Sequence, residues 1–307
     1  MGWTTFPDPG GRPFFPPELI MEIKALACEL PHQHGLPLSR LSRQDLVREA
    51  TRRGLVASVS GRTIWRWLDE DAIRPWQHRS WIFPRDPDFQ IKAERVLDLY
   101  QGLWNDQALG AKDYVVSADE KTSIQARIRL HPTSPPGPHQ TLRVEFEYER
   151  GGALAYLAAW DVRRAKVFGR CETTTGIEPF GRLVQQVMER EPYRHAHRVF
   201  WIVDNGSSHR GKAACLRLQN QYANLVLVHL PVHASWLNQV EIYFSVVQRK
   251  VLTPNDFSSL AQVADRLLAF QDYYEQIARP FEWRFTRADL QELMSKLAGA
   301  PSTALAA

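Results

Sequence analysis

The apolar run Val199-Phe200-Trp201-Ile202-Val203, ending on Asp204, constrains this chain more than any other stretch. It is rich in β-branched and aromatic residues and too short for a globular helix, so it reads as a buried strand. The turn formers Asp204-Asn205-Gly206-Ser207-Ser208-His209 stop it and leave the Asp204 carboxylate at its C-terminal end. A second run, Leu225-Val226-Leu227-Val228-His229-Leu230, is closed by Pro231. Strands buried on both faces belong to parallel sheets covered by helices, and α/β folds of that kind collect their ligands at the carboxyl ends of the strands.

Two further acids fit this frame. Tyr114-Val115-Val116-Ser117-Ala118 reads as another strand and runs into Asp119-Glu120-Lys121-Thr122. Downstream of Pro231 lies His233-Ala234-Ser235-Trp236-Leu237-Asn238-Gln239-Val240-Glu241. Ser235 is expected to cap a helix on which Val240, Phe244, Val247 and Val251 recur at helical spacing, which puts Glu241 in its first two turns. Taken singly, an acid at a strand end is a cap or turn former. Asp119, Asp204 and Glu241 together offer carboxylate oxygens from separate elements, the donors that magnesium prefers. Such a trio suits two-metal in-line displacement on a phosphodiester.

Histidine and cysteine offer weaker alternatives. His195 with His197, or His229 with His233, could be imagined as zinc ligands, but Pro192 and Pro231 disrupt regular spacing near both pairs and no cysteine accompanies them. Cys28, Cys171 and Cys215 are odd in number and far apart, which points to reduced structural thiols in a cytosolic protein. A net charge of +4 permits a polyanionic partner without demanding one. At 307 residues, 44% of them hydrophobic, the chain can bury a sizeable core. No apolar run approaches ~18 residues and the N-terminus lacks a signal-peptide core, so neither a membrane span nor export is expected.

The words Ser117-Ala118-Asp119-Glu120-Lys121-Thr122, Val203-Asp204-Asn205-Gly206-Ser207-Ser208-His209 and Leu230 to Glu241 resemble the three catalytic blocks of DDE transposases, in the bacterial insertion-sequence branch of the mariner-like superfamily. The resemblance runs from about Pro9 to Trp283, and its third block is the most specific. It implies an RNase H-like domain in which Asp119, Asp204 and Glu241 hold two magnesium ions, with manganese as a possible substitute. It further implies DNA cleavage at element ends and strand transfer into target DNA containing a TA step. The partners would be terminal inverted repeats and target DNA, met by a homodimer in the cytoplasm, at the nucleoid. An inert end-binding relative and an RNase H-like nuclease are the alternatives.

The expected fold class is α/β: a mixed five-stranded RNase H-like sheet flanked by helices, preceded by a small all-α helix-turn-helix domain. The expected boundaries are 1–72 for the arm and helix-turn-helix, 73–110 for a linker and connecting helix, 111–257 for the catalytic domain and 258–307 for C-terminal helices. Gly10-Gly11-Arg12-Pro13 lies in a Pro- and Gly-rich arm and resembles linkers that reach into minor grooves, with Arg12 as the contact. Helices are expected over Pro17 to Leu30, over Arg43 to Arg53 capped by Ser42, and after Ser60, the last reading the major groove.

Seven arginines between Leu36 and Arg66 face only Asp45 and Glu49, which suits phosphate contacts. Arg43, Ser58, Ser60, Arg62, Thr63 and Arg66 are the candidate DNA face; Ile64, Trp65 and Leu68 are assigned to the core. Family members carry two helical modules, whereas this chain has room for one, with Pro9 to Glu70 resembling the second; a truncated or variant start is the expectation.

Within the catalytic domain, the helix Ile91 to Trp104 leads into the Asp119 strand. Leu142 to Glu149 alternates as a strand, turned by Gly151-Gly152 into Leu154 to Asp161 and then Ala165 to Arg170. A helix over Pro179 to Arg190 precedes the Asp204 strand. In the RNase H-like order the first and fourth strands are neighbours, which joins Asp119 to Asp204. Helices over Ser258 to Ile277 and Thr286 to Leu297 pack on the domain, and Ala298 to Ala307 frays. Lys121, His209, His233, Trp236 and Asn238, in or beside the acid motifs, complete the candidate DNA contacts; His209 and His233 could instead touch a metal-bound water.

Overall fold

The computed structural model describes residues 6–7, 13–78, 84–206 and 212–298. Arg12, His209 and the C-terminal stretch from 299 lie outside the described residues. The chain divides into two compact units, Met1–Ile82 and Phe83–Ala307.

The first unit is helical, beside a two-residue antiparallel pairing of Phe6–Pro7 with Pro13–Phe14. Helix α1 (Pro17–Ala27) starts on a proline, which lacks only an N–H that the first turn leaves unpaired anyway. Helix α2 (Arg43–Arg52) is opened by a capping box, with Asp45 N donating to Ser42 Oγ at 3.2 Å and Ser42 N to Asp45 Oδ2 at 2.9 Å. Helix α3 (Gly61–Glu70) is capped by Ser60, whose Oγ accepts from Thr63 N at 3.1 Å. Leu19, Ile23, Leu46, Ala50, Ile64 and Leu68 form the core between them.

One core assignment is corrected. Trp65 is 39% exposed, whereas Trp67 is 4% exposed. Ile64, Trp67 and Leu68 stand at i, i+3 and i+4 and share the inward face, so position 65 turns outward.

In the second unit, α4 (Phe89–Gln101) precedes a mixed five-stranded sheet. Its strands are β1 (Asp113–Ile128), β2 (Glu149–Asp161), β3 (Lys166–Glu172), β4 (Arg198–Val203) and β5 (Leu225–His229). The spatial order is β3-β2-β1-β4-β5. β1, β2 and β3 pair antiparallel, and β4 and β5 join parallel to β1. Helices α5 (Ile177–Met188) and α6 (Lys212–Gln221) precede β4 and β5, and α7 (Val240–Lys250), α8 (Leu260–Ile277) and α9 (Arg287–Ala298) follow.

Both faces of the sheet are buried, as the apolar strands require. Val115, Tyr156, Trp160, Phe200 and Val228 face one core with Leu97, Tyr243, Val247, Val263 and Leu290. Val116, Leu157, Phe168 and Trp201 face the other with Phe180, Leu183, Val187 and Leu218. This is the mixed α/β sheet of the RNase H-like fold.

Two expectations about local structure are corrected. Residues 142–148 do not form a sheet strand; they make only an isolated pairing of Ser134 with Arg143, and Phe146 is 94% exposed. β1 instead continues to Ile128 against Arg150 and Glu149, and Gly151-Gly152 lie inside β2. The prolines at 132, 135, 136 and 138 cannot donate to a ladder, so the alternating segment after them finds no neighbour. The glycines face the stretch where β1 shifts register, and Gly152 takes a φ of 91° that suits such irregular pairing. The second correction concerns Ser235: it begins a short 3-10 turn, Ser235–Leu237, and α7 starts at Val240 after Gln239.

Candidate active site

Strand register assembles the first two acids. Ser117 pairs with Ile202 across the parallel β1/β4 ladder, so Asp119 and Asp204 come level two residues further on. Asp204 Oδ1 accepts the Gly206 N–H at 2.8 Å, which fixes the turn leaving β4. Asn205 Nδ2 donates to Leu230 O at 2.8 Å and ties that turn to the end of β5.

The third acid arrives on α7, with Glu241 in its first turn. Gln239 provides no side-chain cap, and distant side chains substitute. Val240 N donates to Ser117 Oγ at 2.9 Å, and Gln239 N to Tyr100 Oη at 3.2 Å. The approach to the helix is anchored by Asp86, whose Oδ2 accepts from Val232 N at 3.0 Å and from Lys92 Nζ at 2.9 Å. Burial opposes charge on Asp86, but Lys92 and the Val232 and Asp88 N–H groups hold its carboxyl below the usual range.

The Asp119 carboxyl is pushed up to about 7, first by burial and then by repulsion from Asp204 and Glu241, against the Glu120 N–H and the Asn238 amide. Burial also raises Glu241, while the Lys121 charge draws it back. Among the described residues, no three histidine, cysteine or acidic side chains stand as a ready-made ligand group. The acids therefore share one field without closing on a common point. Their donor set is carboxylate oxygen alone, which fits a hard divalent cation, and the mutual repulsion raising Asp119 is relieved by positive charge between them.

The remaining candidates fall into three groups. Lys121 lies on β1 and lines a cavity of about 910 Å³ with Gln125, Arg127, Tyr148, Gln248 and Asn255, among others. His233 is exposed with a φ of 62°. Trp236 is half-buried with its ring edge-on to Phe285. Asn238 is corrected: its side chain is fully buried and consumed by internal hydrogen bonds, so it presents nothing to DNA.

On the helical unit, Ser58, Arg43, Arg62 and Arg66 are exposed, and Ser60 and Thr63 engage each other at the cap. Arg48, Arg52 and Arg53 are paired with Asp45, Glu49 and Glu29, whereas Arg43, Arg62 and Arg66 have no acidic partner among the described residues. Arg43, Arg62 and the exposed Trp65 line one cleft of about 700 Å³ with Ser42, Gln44 and Gly61. Sequence reasoning missed Trp65, Asp86, Tyr100 and Ser117. Helical phase could have exposed Trp65, and a hydroxyl inside an apolar strand marked Ser117; nothing local marked the other two.

Residues 114–264 match the family model of the DDE superfamily endonucleases. That segment is a DDE superfamily endonuclease domain. The chain's fold is that of the Mos1 mariner transposase. The Mos1 paired end complex with Mn is 15% identical with a TM-score of 0.53, covering 93% of this chain and 79% of that one. The complex with Mg is 13% identical with a TM-score of 0.54, covering 94% and 82%. The pre-cleavage Mos1 transpososome is 13% identical with a TM-score of 0.53 over the same shares. No curated protein sequence matches the chain. The DDE match takes in all three acids of the site, Asp119, Asp204 and Glu241. No helix among the described residues is long and apolar enough to cross a membrane.

Proposed function

We propose that this chain is an insertion-sequence transposase that cuts DNA at element ends and joins the freed ends to target DNA. The observation carrying this reading is the level placement of Asp119 and Asp204 on adjacent parallel strands, with Glu241 in the first turn of α7 inside the same field.

Asp119, Asp204 and Glu241 would hold two magnesium ions, with manganese as a substitute. When bound, these cations would supply Lewis acidity that activates the oxygen nucleophile, water for cleavage and the cut end's own 3′-hydroxyl for joining. The carboxylates provide the fixed negative cradle, and Asp119 must be ionised to serve in it. Lys121, whose charge lowers the Glu241 carboxyl, would meet a non-bridging phosphate oxygen. On the helical unit, α3 presents Arg62, Trp65 and Arg66 on one face, a stripe suited to a major groove, with Arg43 beside it. The partners are terminal inverted repeats and TA-containing target DNA, met by a dimer at the nucleoid; the Mos1 likeness supports this for a paired-end complex.

The test is cleavage of duplexes carrying matched or scrambled element ends, with magnesium and with a chelator. Metal-dependent cleavage confined to matched ends is expected. Binding without cleavage would make the chain an inert end-binder, and cleavage blind to sequence would make it a nuclease.

A further inference from the structure

The first and third acids are bridged by Asn238, a motif residue whose side chain is buried and turned inward. Asn238 Nδ2 donates to Ala118 O at 3.0 Å and to Asp119 Oδ2 at 3.2 Å. Its Oδ1 accepts from the Ser117 hydroxyl, whose own oxygen accepts the Val240 N–H at 2.9 Å. Its backbone carbonyl accepts the Glu241 N–H at 3.1 Å. Both Ser117 and Asn238 are fully buried.

These bonds fix the amide's orientation. A flipped Asn238 would aim its oxygen at the Ala118 carbonyl and the Asp119 carboxylate, leaving three acceptors without a donor between them. They also fix the carboxylate plane of Asp119, because Oδ1 takes the Glu120 N–H at 2.7 Å while Oδ2 takes the amide. One lone pair on each oxygen is left to face the site. Magnesium demands near-ideal octahedral geometry, so a ligand aimed in advance binds it with less rearrangement. Groups hydrogen-bonded to metal-ligating residues supply that aim.

Resting on the reading of Asp119 and Glu241 as ligands, we infer that Asn238 is a positioning residue: its amide aims Asp119 and its backbone seats Glu241, setting the distance between the first and third acids. Ser117 is the hydroxyl that keeps the amide in place.

The experiment titrates magnesium against the full-length wild type, Asn238→Ala and Ser117→Ala, reading the rise in melting temperature and, separately, cleavage of an end duplex. The wild type should be stabilised saturably. Half-saturation should move up by about 10–100-fold in Asn238→Ala, and by less in the same direction in Ser117→Ala, with cleavage recovering as magnesium is raised. Equal half-saturation in wild type and both variants would overturn the inference and leave the metal reading standing. No saturable stabilisation of the wild type would overturn the metal reading, and the inference with it. Should Asn238→Ala fail to fold, Ser117→Ala decides on the same criterion.

Discussion

Asp119, within β1, and Asp204, just past the end of β4, lie at one level on neighbouring parallel strands, each two residues past the paired Ser117 and Ile202. Replacing either with asparagine keeps the shape and removes a charge on which cation binding depends. A bound cation is worth several kcal/mol of transition-state stabilisation, so cleavage by Asp119→Asn or Asp204→Asn should fall by at least about 10³. Affinity for an end duplex, measured by fluorescence anisotropy, should hold or rise as repulsion of phosphate is reduced. Equal loss of binding and cleavage would instead indicate a damaged fold.

Arg62 and Arg66 carry charge on the outward stripe of α3 with no acidic partner among the described residues. Arg62→Ala or Arg66→Ala should cost ~1–3 kcal/mol of end-specific binding where the guanidinium reads a base edge. A phosphate contact would instead lower the salt slope by about one, uniformly across sequences. Binding isotherms on matched and scrambled duplexes at several salt concentrations separate these outcomes, and unchanged binding in both variants would move the DNA face elsewhere.

Two tryptophans two positions apart should respond oppositely. Trp67 is buried against Phe15 at a ring separation of 5.0 Å, and Trp67→Ala should destabilise the helical unit by about 3–5 kcal/mol. Trp65→Ala should stay within about 0.5 kcal/mol of wild type in stability, yet weaken DNA binding, because the exposed ring lines the same cleft as Arg43 and Arg62. Chemical denaturation and anisotropy on the two variants check this; a large stability loss in Trp65→Ala would contradict its outward placement.

Acid should weaken the sheet at a defined point. Asp113 takes the Arg198 Nη2 and Nε at 2.8 and 3.1 Å and the Gly110 N–H at 2.9 Å. Arg198 foremost, against burial and helped by Gly110 and His197, holds its carboxyl at about 2 instead of 3.8. A depressed folded value means stability that is complete above the ordinary value and is lost as pH falls through it toward the folded one. With allowance for solvent around the partly exposed arginine, Asp113→Asn should cost on the order of 1–2 kcal/mol at neutral pH. Denaturation midpoints for wild type and variant should converge by about pH 2; parallel curves down to that pH would refute the pairing.

Gly169 on β3 leaves room for the Tyr156 ring. A Cβ there would overlap the Tyr156 hydroxyl, which is fully buried and bonded to Tyr243 Oη at 3.0 Å. Gly169→Ala should therefore cost about 1–3 kcal/mol through overpacking, read as a lowered melting temperature. A neutral result would mean that the tyrosine pair can shift.

The sequence alone determined the strand that ends before Asp204, the helix carrying Glu241 and the cap at Ser42; it placed Asp119 on a strand too, but the strand runs past it to Ile128. Each depends on local chemistry: apolar runs, periodicity over a few residues, and a hydroxyl or carboxylate beside the N–H groups it caps. The phase of α3 was legible as well, since Ile64, Trp67 and Leu68 share one face, but assigning Trp65 to the core missed it. Tertiary structure decided the rest. Residues 142–148 alternate like a strand, but an edge needs a partner, and only the assembled sheet shows that β1 and β2 pair past them. Ser235 looked like a cap, yet the N–H groups at the start of α7 are met by Tyr100 and Ser117 from elsewhere in the chain. Asn238 looked like a DNA contact because its motif is polar; its partner Ser117 lies 121 positions away, and a hydrogen bond over that separation leaves no period or spacing to read.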